Sequence, residues 1–342
     1  MLFNEDEILN IVVNQTNIVK NIRNIDLDLQ LKLVKRNGTV IQYFDNPSLE
    51  VQLEAVRQNG YSIKYIKNPY LEVQLEAVRK DESYIQFIDS PSLEVQLEAI
   101  KDDISYIQYI NNPSLEVQLI AIRRNINNIS YIQNLSLEAQ LEAVRQNGNS
   151  IKFIAIPSLE VQLIAVKENG YSIKYIKNPC LEVQLESVRQ NGNSIQYIEN
   201  PSLEVQLEAV NEDGNSIQYI ENPSLEVQLI AVKTNGINIK YIENPCLEVQ
   251  LEAVKQNGNA IRYIGIPYLE TQLEAVKDNE KNIVYVLPHL NINEKENLLS
   301  LDKVFLKALI SQGILNKDSI NYLITNGDKE IKTMIMEYKL SK

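Results

Sequence analysis

The sequence predicts an all-α fold: a right-handed α-solenoid of twelve 22-residue two-helix repeats with terminal caps. Three observations predict it. The glutamine of a Leu-Glu-Val-Gln-Leu motif recurs every 22 residues from Gln30 to Gln272, with no insertion or deletion. Proline and glycine recur at fixed slots of this period, which is typical of helix ends. Neither half of the period is long enough to form a stable helix alone, so the repeats must stack to bury their apolar side chains.

The first half of the period predicts an α-helix. In residues 46–67, our reference repeat, Asn46 is the predicted N-cap and Pro47 the first helical residue. Three apolar residues at i, i+4 and i+7 predict its buried face: Leu49, Leu53 and Val56. Gly60 is predicted to follow the helix as a left-handed residue. The remaining residues, which include Ile63, Tyr65 and Ile66, predict a second helix of about six residues, either α or 3₁₀.

The two ends of the chain differ from the repeats. Residues 1–23 match the period weakly and predict a degenerate N-terminal capping repeat, and residues 24–287 hold the twelve repeats. Residues 288–342 lose the period but keep helical patterns. We expect a C-terminal helical cap there, and a small separate binding module is the alternative.

Composition favours a protein that avoids phosphates and lipid. The chain has 45 acidic and 33 basic residues and a net charge of -12, a balance that repels nucleic acids and anionic membranes. No secretory signal and no apolar run of about 18 residues is recognisable. Cys180 and Cys246 occupy one slot of repeats too far apart to bridge, and free thiols are typical of a reducing compartment. We expect a cytoplasmic location, in a bacterium or an infected host cell.

Catalytic motifs are not recognisable in the sequence. His289 is the single histidine, and we expect it to be structural. No metal-ligand spacing, nucleophile elbow or phosphate-binding loop is present, and the many carboxylates follow the repeat instead of converging. We therefore expect no enzyme activity, no cofactor and no metal site.

The repeats resemble those of a known family. The stretch that carries the resemblance is Ala-Val-Lys-Gln-Asn-Gly at residues 253–258, followed by the aliphatic-x-aromatic step at residues 261–263. This resembles an uncharacterised-domain family of short AVKQNG-type helical repeats found in bacteria, phages, protists and giant viruses. The resemblance covers about residues 24–287 and departs at the more uniform Asn-Pro-Ser-Leu-Glu-Val-Gln-Leu opening. It implies a helical repeat, similar to HEAT and leucine-rich-variant solenoids, and implies no activity and no functional residue.

Two rows recur in every repeat. A glutamine row is interpreted as a structural ladder, because a partly buried amide must find hydrogen-bond partners; a ligand-reading row is the alternative. Its clearest members are Gln52, Gln74, Gln96, Gln118, Gln162, Gln184, Gln206, Gln228 and Gln250. An aromatic row from Tyr43 to Tyr285 is interpreted as packing between repeats. Base stacking on this row is the alternative.

Variation between the repeats suggests candidate partner-binding residues. Isoleucine replaces a glutamate on the predicted exposed helix side at Ile120, Ile164 and Ile230. Acidity is concentrated in the turn between repeats at Glu199, Glu221 and Glu243. Further loop aromatics include Tyr171 and Tyr268.

These features predict a non-enzymatic protein-binding scaffold whose partner has a basic or mixed surface. A phage or bacterial inhibitor that sequesters a host or defence protein is one specific form. A nucleic-acid or nucleotide-binding protein that uses the tyrosine row is an alternative that the acidic charge disfavours. A lipid-surface protein built from continuous amphipathic helices is another, which the Asn-Gly pair within most repeats disfavours.

Overall fold

The computed structural model describes residues 25–292 and 295–341. Within them the chain is all-α, and a pair made of one α-helix and one 3₁₀ helix recurs about every 22 residues in about 12 repeats. The predicted all-α solenoid is therefore confirmed. The predicted N-terminal capping repeat, residues 1–23, lies outside the described residues.

The α-helices of the described repeats begin at the leucine of the motif. They are α1 (Leu27–Arg36), α2 (Leu49–Gln58), α3 (Leu71–Lys80), α4 (Leu93–Ala99), α5 (Leu115–Arg124), α6 (Leu137–Gln146), α7 (Leu159–Glu168), α8 (Leu181–Gln190), α9 (Leu203–Glu212), α10 (Leu225–Thr234), α11 (Leu247–Gln256) and α12 (Leu269–Asp278).

Each α-helix is followed by a 3₁₀ helix. These are η1 (Gly38–Tyr43), η2 (Gly60–Tyr65), η3 (Glu82–Phe87), η4 (Ile104–Tyr109), η5 (Ile126–Tyr131), η6 (Gly148–Phe153), η7 (Gly170–Tyr175), η8 (Gly192–Tyr197), η9 (Gly214–Tyr219), η10 (Gly236–Tyr241), η11 (Gly258–Tyr263) and η12 (Glu280–Asn282). The C-terminal region holds α13 (Ile283–Val286), η13 (Leu287–His289), η14 (Lys295–Ser300), α14 (Lys303–Ser311), α15 (Lys317–Asn326) and α16 (Lys329–Leu340).

Contacts divide the chain into two compact units, the first ending at Ile164 and the second beginning at Ala165. Inside each unit, successive α-helices contact one another and so do successive 3₁₀ helices. Each unit is therefore a stack of repeats in chain order.

The N-cap of the α-helix differs from the prediction. In the reference repeat the helix begins at Leu49, and Ser48 is its N-cap, with the Oγ accepting a hydrogen bond from the Val51 N–H at 3.4 Å. The prediction of Asn46 as N-cap is wrong, because Asn46 has a φ of 51° and belongs to the preceding turn. Asparagine tolerates this left-handed conformation better than most residues. Pro47 consequently lies before the helix.

The buried face of the helix also differs from the prediction. Val51, Ala55 and Val56 are fully buried, whereas the equivalents of Leu49 are exposed in ten of the described repeats, from 36% at Leu115 to 57% at Leu269. At 100° per residue, Leu49 lies about 90° from the centre of the buried arc. The predicted buried face is therefore displaced around the helix axis from the observed one. The leucines at the Leu49 slot form a row on the surface instead.

The glycine after the helix serves close packing and not a left-handed turn. Asn59 is an extended residue that ends α2 and also caps η2, where its Oδ1 accepts the Tyr61 N–H at 3.1 Å. Gly60 is the first residue of η2, and among the described glycines only Gly313 has a positive φ. A Cβ on the equivalent Gly192 would meet a backbone oxygen of the next repeat at 2.4 Å. The prediction of a left-handed residue at this slot is therefore wrong.

The first unit contains an irregular segment where this glycine is replaced. Helix α4, which lies between the replacements Glu82 and Ile104, is only 7 residues long. Arg124 of the next repeat donates a hydrogen bond from Nη1 to the Ile100 carbonyl at 2.9 Å, just beyond the end of α4. This guanidinium takes over one of the carbonyls that a longer helix would satisfy.

The C-terminal helices cover the last repeat of the second unit. Helix α14 contacts α12 and buries Phe305, Leu306 and Leu309. Glu280, which occupies the glycine slot of the last repeat, pairs with Lys307 of α14 at 3.5 Å. These contacts pack α14 against the last repeat, and the C-terminal cap stays a prediction.

A polar contact joins α14 and α16 in the C-terminal region. The Lys303 ammonium hydrogen-bonds to the Asp328 carboxylate at the start of α16. This bond, with a second from the Ile331 N–H, holds the pKa of Asp328 below its usual range. The carboxylate consequently stays ionised, and the contact between α14 and α16 persists, to a lower pH than an isolated aspartate would allow.

Candidate functional site

The glutamine row fixes the turns between repeats. Across residues 25–292, every glutamine of the row donates from Nε2 to the carbonyl five residues earlier, as Gln206 does to Pro201 at 2.9 Å. In some repeats the Oε1 also accepts the N-cap N–H of the following repeat; Gln250 accepts that of Tyr268 at 3.1 Å. The structural interpretation of the row agrees with these bonds, which run to backbone groups.

We use "turn edge" for the three-residue turns 199–201, 221–223, 243–245 and 265–267, whose first two residues are exposed and which join consecutive repeats of the second unit. Their first residues, Glu199, Glu221, Glu243 and Gly265, are all exposed. Asn200, Asn222 and Asn244 each have a φ of 49°, so the first three turns share one left-handed backbone conformation. The acidic candidates that the sequence places in the turn between repeats, Glu199, Glu221 and Glu243, therefore lie in solvent at the turn edge.

The first cleft of the turn edge is acidic. It has a volume of about 570 Å³ and lies between the turns that follow η8 and η9. Its lining residues are Ile198, Glu199, Asn200, Pro201, Gln206, Tyr219, Ile220, Glu221 and Asn222. Two predicted candidates, Glu199 and Glu221, thus share one cleft, and we call it the acidic cleft.

The second cleft lies two repeats later and is apolar. It has a volume of about 400 Å³ and is lined by Ile242, Asn244, Pro245, Gln250, Tyr263, Ile264, Gly265, Ile266, Pro267 and Tyr268. The predicted candidate Tyr268 is 49% exposed in this lining. Because Gly265 and Ile266 stand where the acidic cleft has Glu221 and Asn222, this apolar cleft has lost both polar groups.

Ile266 lines the apolar cleft although it was not among the predicted candidates. Its side chain is 85% exposed, and that of Ile156, at the same slot in the first unit, is 90% exposed. Single exposed apolar residues are common, but isoleucine at such exposure in place of asparagine is unusual. The available signal was the change of the turn from Glu-Asn-Pro to Gly-Ile-Pro at residues 265–267 and to Ala-Ile-Pro at residues 155–157.

The three isoleucines at the glutamate slot do not form an exposed patch. Ile120, Ile164 and Ile230 are each only partly accessible, and Ile120 packs against the core of the first unit. The expectation that they lie on the exposed helix side is therefore wrong. Ile120 and Ile164 also stand two repeats apart in the chain.

Contacts between repeats explain why this slot is only partly accessible. In the second unit, Glu208 receives a hydrogen bond from Arg189 of the preceding repeat at 2.9 Å, so the slot faces its neighbour. Where isoleucine stands at this slot in Ile230, the preceding base is also lost, as Asn211. The apolar side chain thus replaces one half of an ion pair whose other half is missing.

The aromatic candidates are divided between packing and surface. Tyr171 is the second residue of η7 and not a loop residue, and its ring packs edge-on against Tyr197 of the next repeat at 5.9 Å between centroids. Arg262 lies over two rings of the row, with Cζ 5.1 Å from the Tyr263 centroid and 5.9 Å from that of Tyr285. Such cations occupy ring faces that a stacked base would need.

The described part of the chain offers no metal site. Over residues 25–292 and 295–341, no group of three histidine, cysteine or acidic side chains is placed to hold a metal ion. His289 is exposed at the end of η13. In the same residues, no helix is both long and apolar enough to cross a membrane. Each described repeat also breaks at the asparagine or aspartate before its 3₁₀ helix, so the continuous amphipathic helix of the lipid-surface alternative is not formed there.

Comparison with known proteins adds no assignment. No family model matches the chain, and no curated protein is significantly similar to it. The resemblance to the AVKQNG-type repeats therefore stays a prediction.

Proposed function

We propose that this protein is a non-enzymatic scaffold that binds a protein partner through the turn edge of its second unit. The observation that carries the proposal is the apolar cleft, where Ile266 projects into solvent beside the half-exposed Tyr268. Clefts lined by apolar and aromatic side chains and edged by polar groups are typical of protein and peptide contacts. Capture of a host or defence protein is one setting in which such a scaffold would act.

The charge of the surface supports a protein partner over a nucleic acid. The net charge is -12, and the acidic cleft places two carboxylates on the same turn edge, two repeats before the apolar cleft. Phosphates would be repelled from this edge, whereas basic side chains would be attracted to it.

A photocrosslinking experiment tests the class of partner. Tyr268→p-benzoylphenylalanine places the reactive group in the apolar cleft of the full chain, and the same residue at Lys255, an exposed position in the last turn of α11, is the control. We expect an adduct from native-host extract that proteases degrade and nucleases leave intact, formed at position 268 and not at 255. A nuclease-sensitive adduct, or equal labelling at both positions, would refute the proposal.

A pair of matched substitutions tests the cleft itself. Ile266→Asn restores the residue of most other turns, and Ile156→Asn makes the same change at an equally exposed position of the first unit. We expect the adduct at position 268 to be lost with Ile266→Asn and retained with Ile156→Asn. An adduct that persists in the Ile266→Asn protein would count against the cleft as the binding site.

A further inference from the structure

The acidic and apolar clefts occupy equivalent positions two repeats apart on the turn edge. Eight of the nine residues that line the acidic cleft have equivalents 44 residues later in the apolar cleft. The shared positions include Pro201 and Pro245, and Tyr219 and Tyr263. A ligand that lies along the turn edge therefore meets the same proline and the same aromatic side chain at each of these positions, whereas the turn residues change and the turn at Ile266 also differs in backbone conformation.

The period of the groove suits one peptide conformation. Packed helices lie about 8–10 Å apart, so successive turns of the edge are offset by about that distance. A polyproline II peptide rises about 3.1 Å per residue and has three residues per turn, so it repeats about every 9 Å. A β-strand repeats a side chain on one face about every 7 Å and loses register after two repeats.

The residues of the turns indicate which side chains the ligand would carry. Glu199, Glu221 and Glu243 follow at one per repeat, and each offers an exposed carboxylate to a lysine or arginine. The next turn offers Ile266 beside Gly265, where no other atom lies within 4 Å of the position a Cβ would take. That space suits an apolar side chain. The half-exposed tyrosines between the turns resemble the aromatic grooves on which polyproline II peptides dock.

We propose that the ligand of the turn edge is a basic polyproline II segment of another protein, with lysine or arginine at every third residue over three turns and an apolar residue at the next third position. This inference rests on the proposed protein-binding function. The three basic residues meet Glu199, Glu221 and Glu243, and the apolar residue enters the cleft beside Ile266.

Fluorescence anisotropy with labelled peptides and the purified full chain tests this pattern. The probe is Lys-Pro-Pro-Lys-Pro-Pro-Lys-Pro-Pro-Leu, made in both chain directions because the groove does not fix the polarity. The control is Lys-Pro-Lys-Pro-Lys-Pro-Pro-Pro-Pro-Leu, which has the same composition and charge with the lysines two residues apart. We expect one direction of the probe to bind about three- to tenfold more tightly than the control, with affinity falling between about 50 mM and about 500 mM salt.

Two protein variants separate the groove from general charge attraction. Glu221→Gln should weaken probe binding about two- to fivefold, the range of one exposed ion pair. Glu204→Gln removes the same charge from the exposed first turn of α9, outside both clefts, and should leave binding unchanged. Ile266→Asn should weaken the probe about tenfold and a probe that ends in glycine hardly at all.

The outcomes distinguish this inference from the proposed function. Equal binding of probe and control, or equal effects of Glu221→Gln and Glu204→Gln, would overturn the spaced-lysine pattern. If neither probe binds while position 268 still crosslinks to a protein, the protein-binding function holds and the polyproline II ligand is wrong. If neither probe binds and position 268 crosslinks to no protein, both the polyproline II ligand and the proposed protein-binding function are wrong.

Discussion

The substitution Gly192→Ala tests how the repeats are held together. The added Cβ would lie 2.4 Å from the Ala209 carbonyl oxygen and 2.7 Å from the Ser216 Oγ, both in the next repeat. Ordinary carbon–oxygen contacts are nearly 1 Å longer, and the first of these atoms belongs to the backbone of α9 and cannot rotate away. Overpacking of this kind costs about 1–3 kcal/mol, and the entropy gained by replacing glycine returns about 0.4–1 kcal/mol. We expect a net loss of about 1–2 kcal/mol.

Hydrogen exchange is the appropriate assay, because unfolding of a repeat array is not a single two-state event. A loss of about 1–2 kcal/mol should accelerate exchange in η8 and α9 about five- to thirtyfold, while the first unit exchanges as in the wild type. Gly265→Ala is the matched control, since nothing lies within 4 Å of its Cβ position and the change should be neutral or slightly stabilising.

A third variant separates close packing from backbone conformation. If Gly192 were needed for a left-handed backbone, Gly192→Asn would be tolerated better than Gly192→Ala, because asparagine adopts that conformation more readily. If contact with the next repeat is the reason, the larger asparagine should be worse than alanine. Faster exchange in the alanine variant than in the asparagine variant would refute the packing argument.

Three further outcomes follow from single contacts. Cys180→Ser supplies the cap hydrogen bond that α8 lacks. It should stabilise the second unit by about 0.5–1 kcal/mol, which a higher urea midpoint would show. Gln118→Ala removes an almost fully buried amide bonded at both ends and should cost about 2–4 kcal/mol, measured by hydrogen exchange, whereas Gln228→Ala should cost about 1 kcal/mol. Asp328→Asn should loosen the contact between α14 and α16 near pH 6. Because the folded pKa of Asp328 is lowered, its stabilisation is present above the unfolded pKa and is lost as pH falls through the folded value, so the difference from wild type should vanish in acid. Urea midpoints that differ equally at pH 6 and pH 2 would contradict this.

The sequence predicted the period and the helix pair because both depend on spacing that the chain states directly. It misplaced the buried face, because the motif has leucines at i and i+4 whereas the helix buries Val51 and Ala55 against its neighbours. Leucine is larger and more apolar than alanine, so composition favoured the wrong side. Only the closeness of adjacent repeats, which no single repeat encodes, selects the small side chain for the interface.

The sequence predicted only part of the candidate site, because contacts between repeats are not encoded in a single repeat. Glu199 and Glu221 were identified because variation at one slot is visible in an alignment of repeats, and they line one cleft. Ile120 was expected on the exposed helix side, whereas it is partly buried against the core of the first unit. Whether a glutamate slot faces water or the next repeat depends on a partner 19 residues away, such as Arg189 for Glu208.

The Gly-Ile-Pro turn at residues 265–267 differs from the Glu-Asn-Pro turns before it in backbone conformation and in exposed apolar area. Asn222 and Asn244 adopt a left-handed φ of 49°, which a β-branched residue such as isoleucine avoids, and the turn at Ile266 has no such φ. Its preceding residue has changed as well, from glutamate to Gly265. The fold gains nothing from this double change, since the isoleucine remains 85% exposed and buries almost no area. A protein partner that covers Ile266, as proposed above, would account for an apolar side chain at this exposure, and Ile156→Asn separates that explanation from exposure alone.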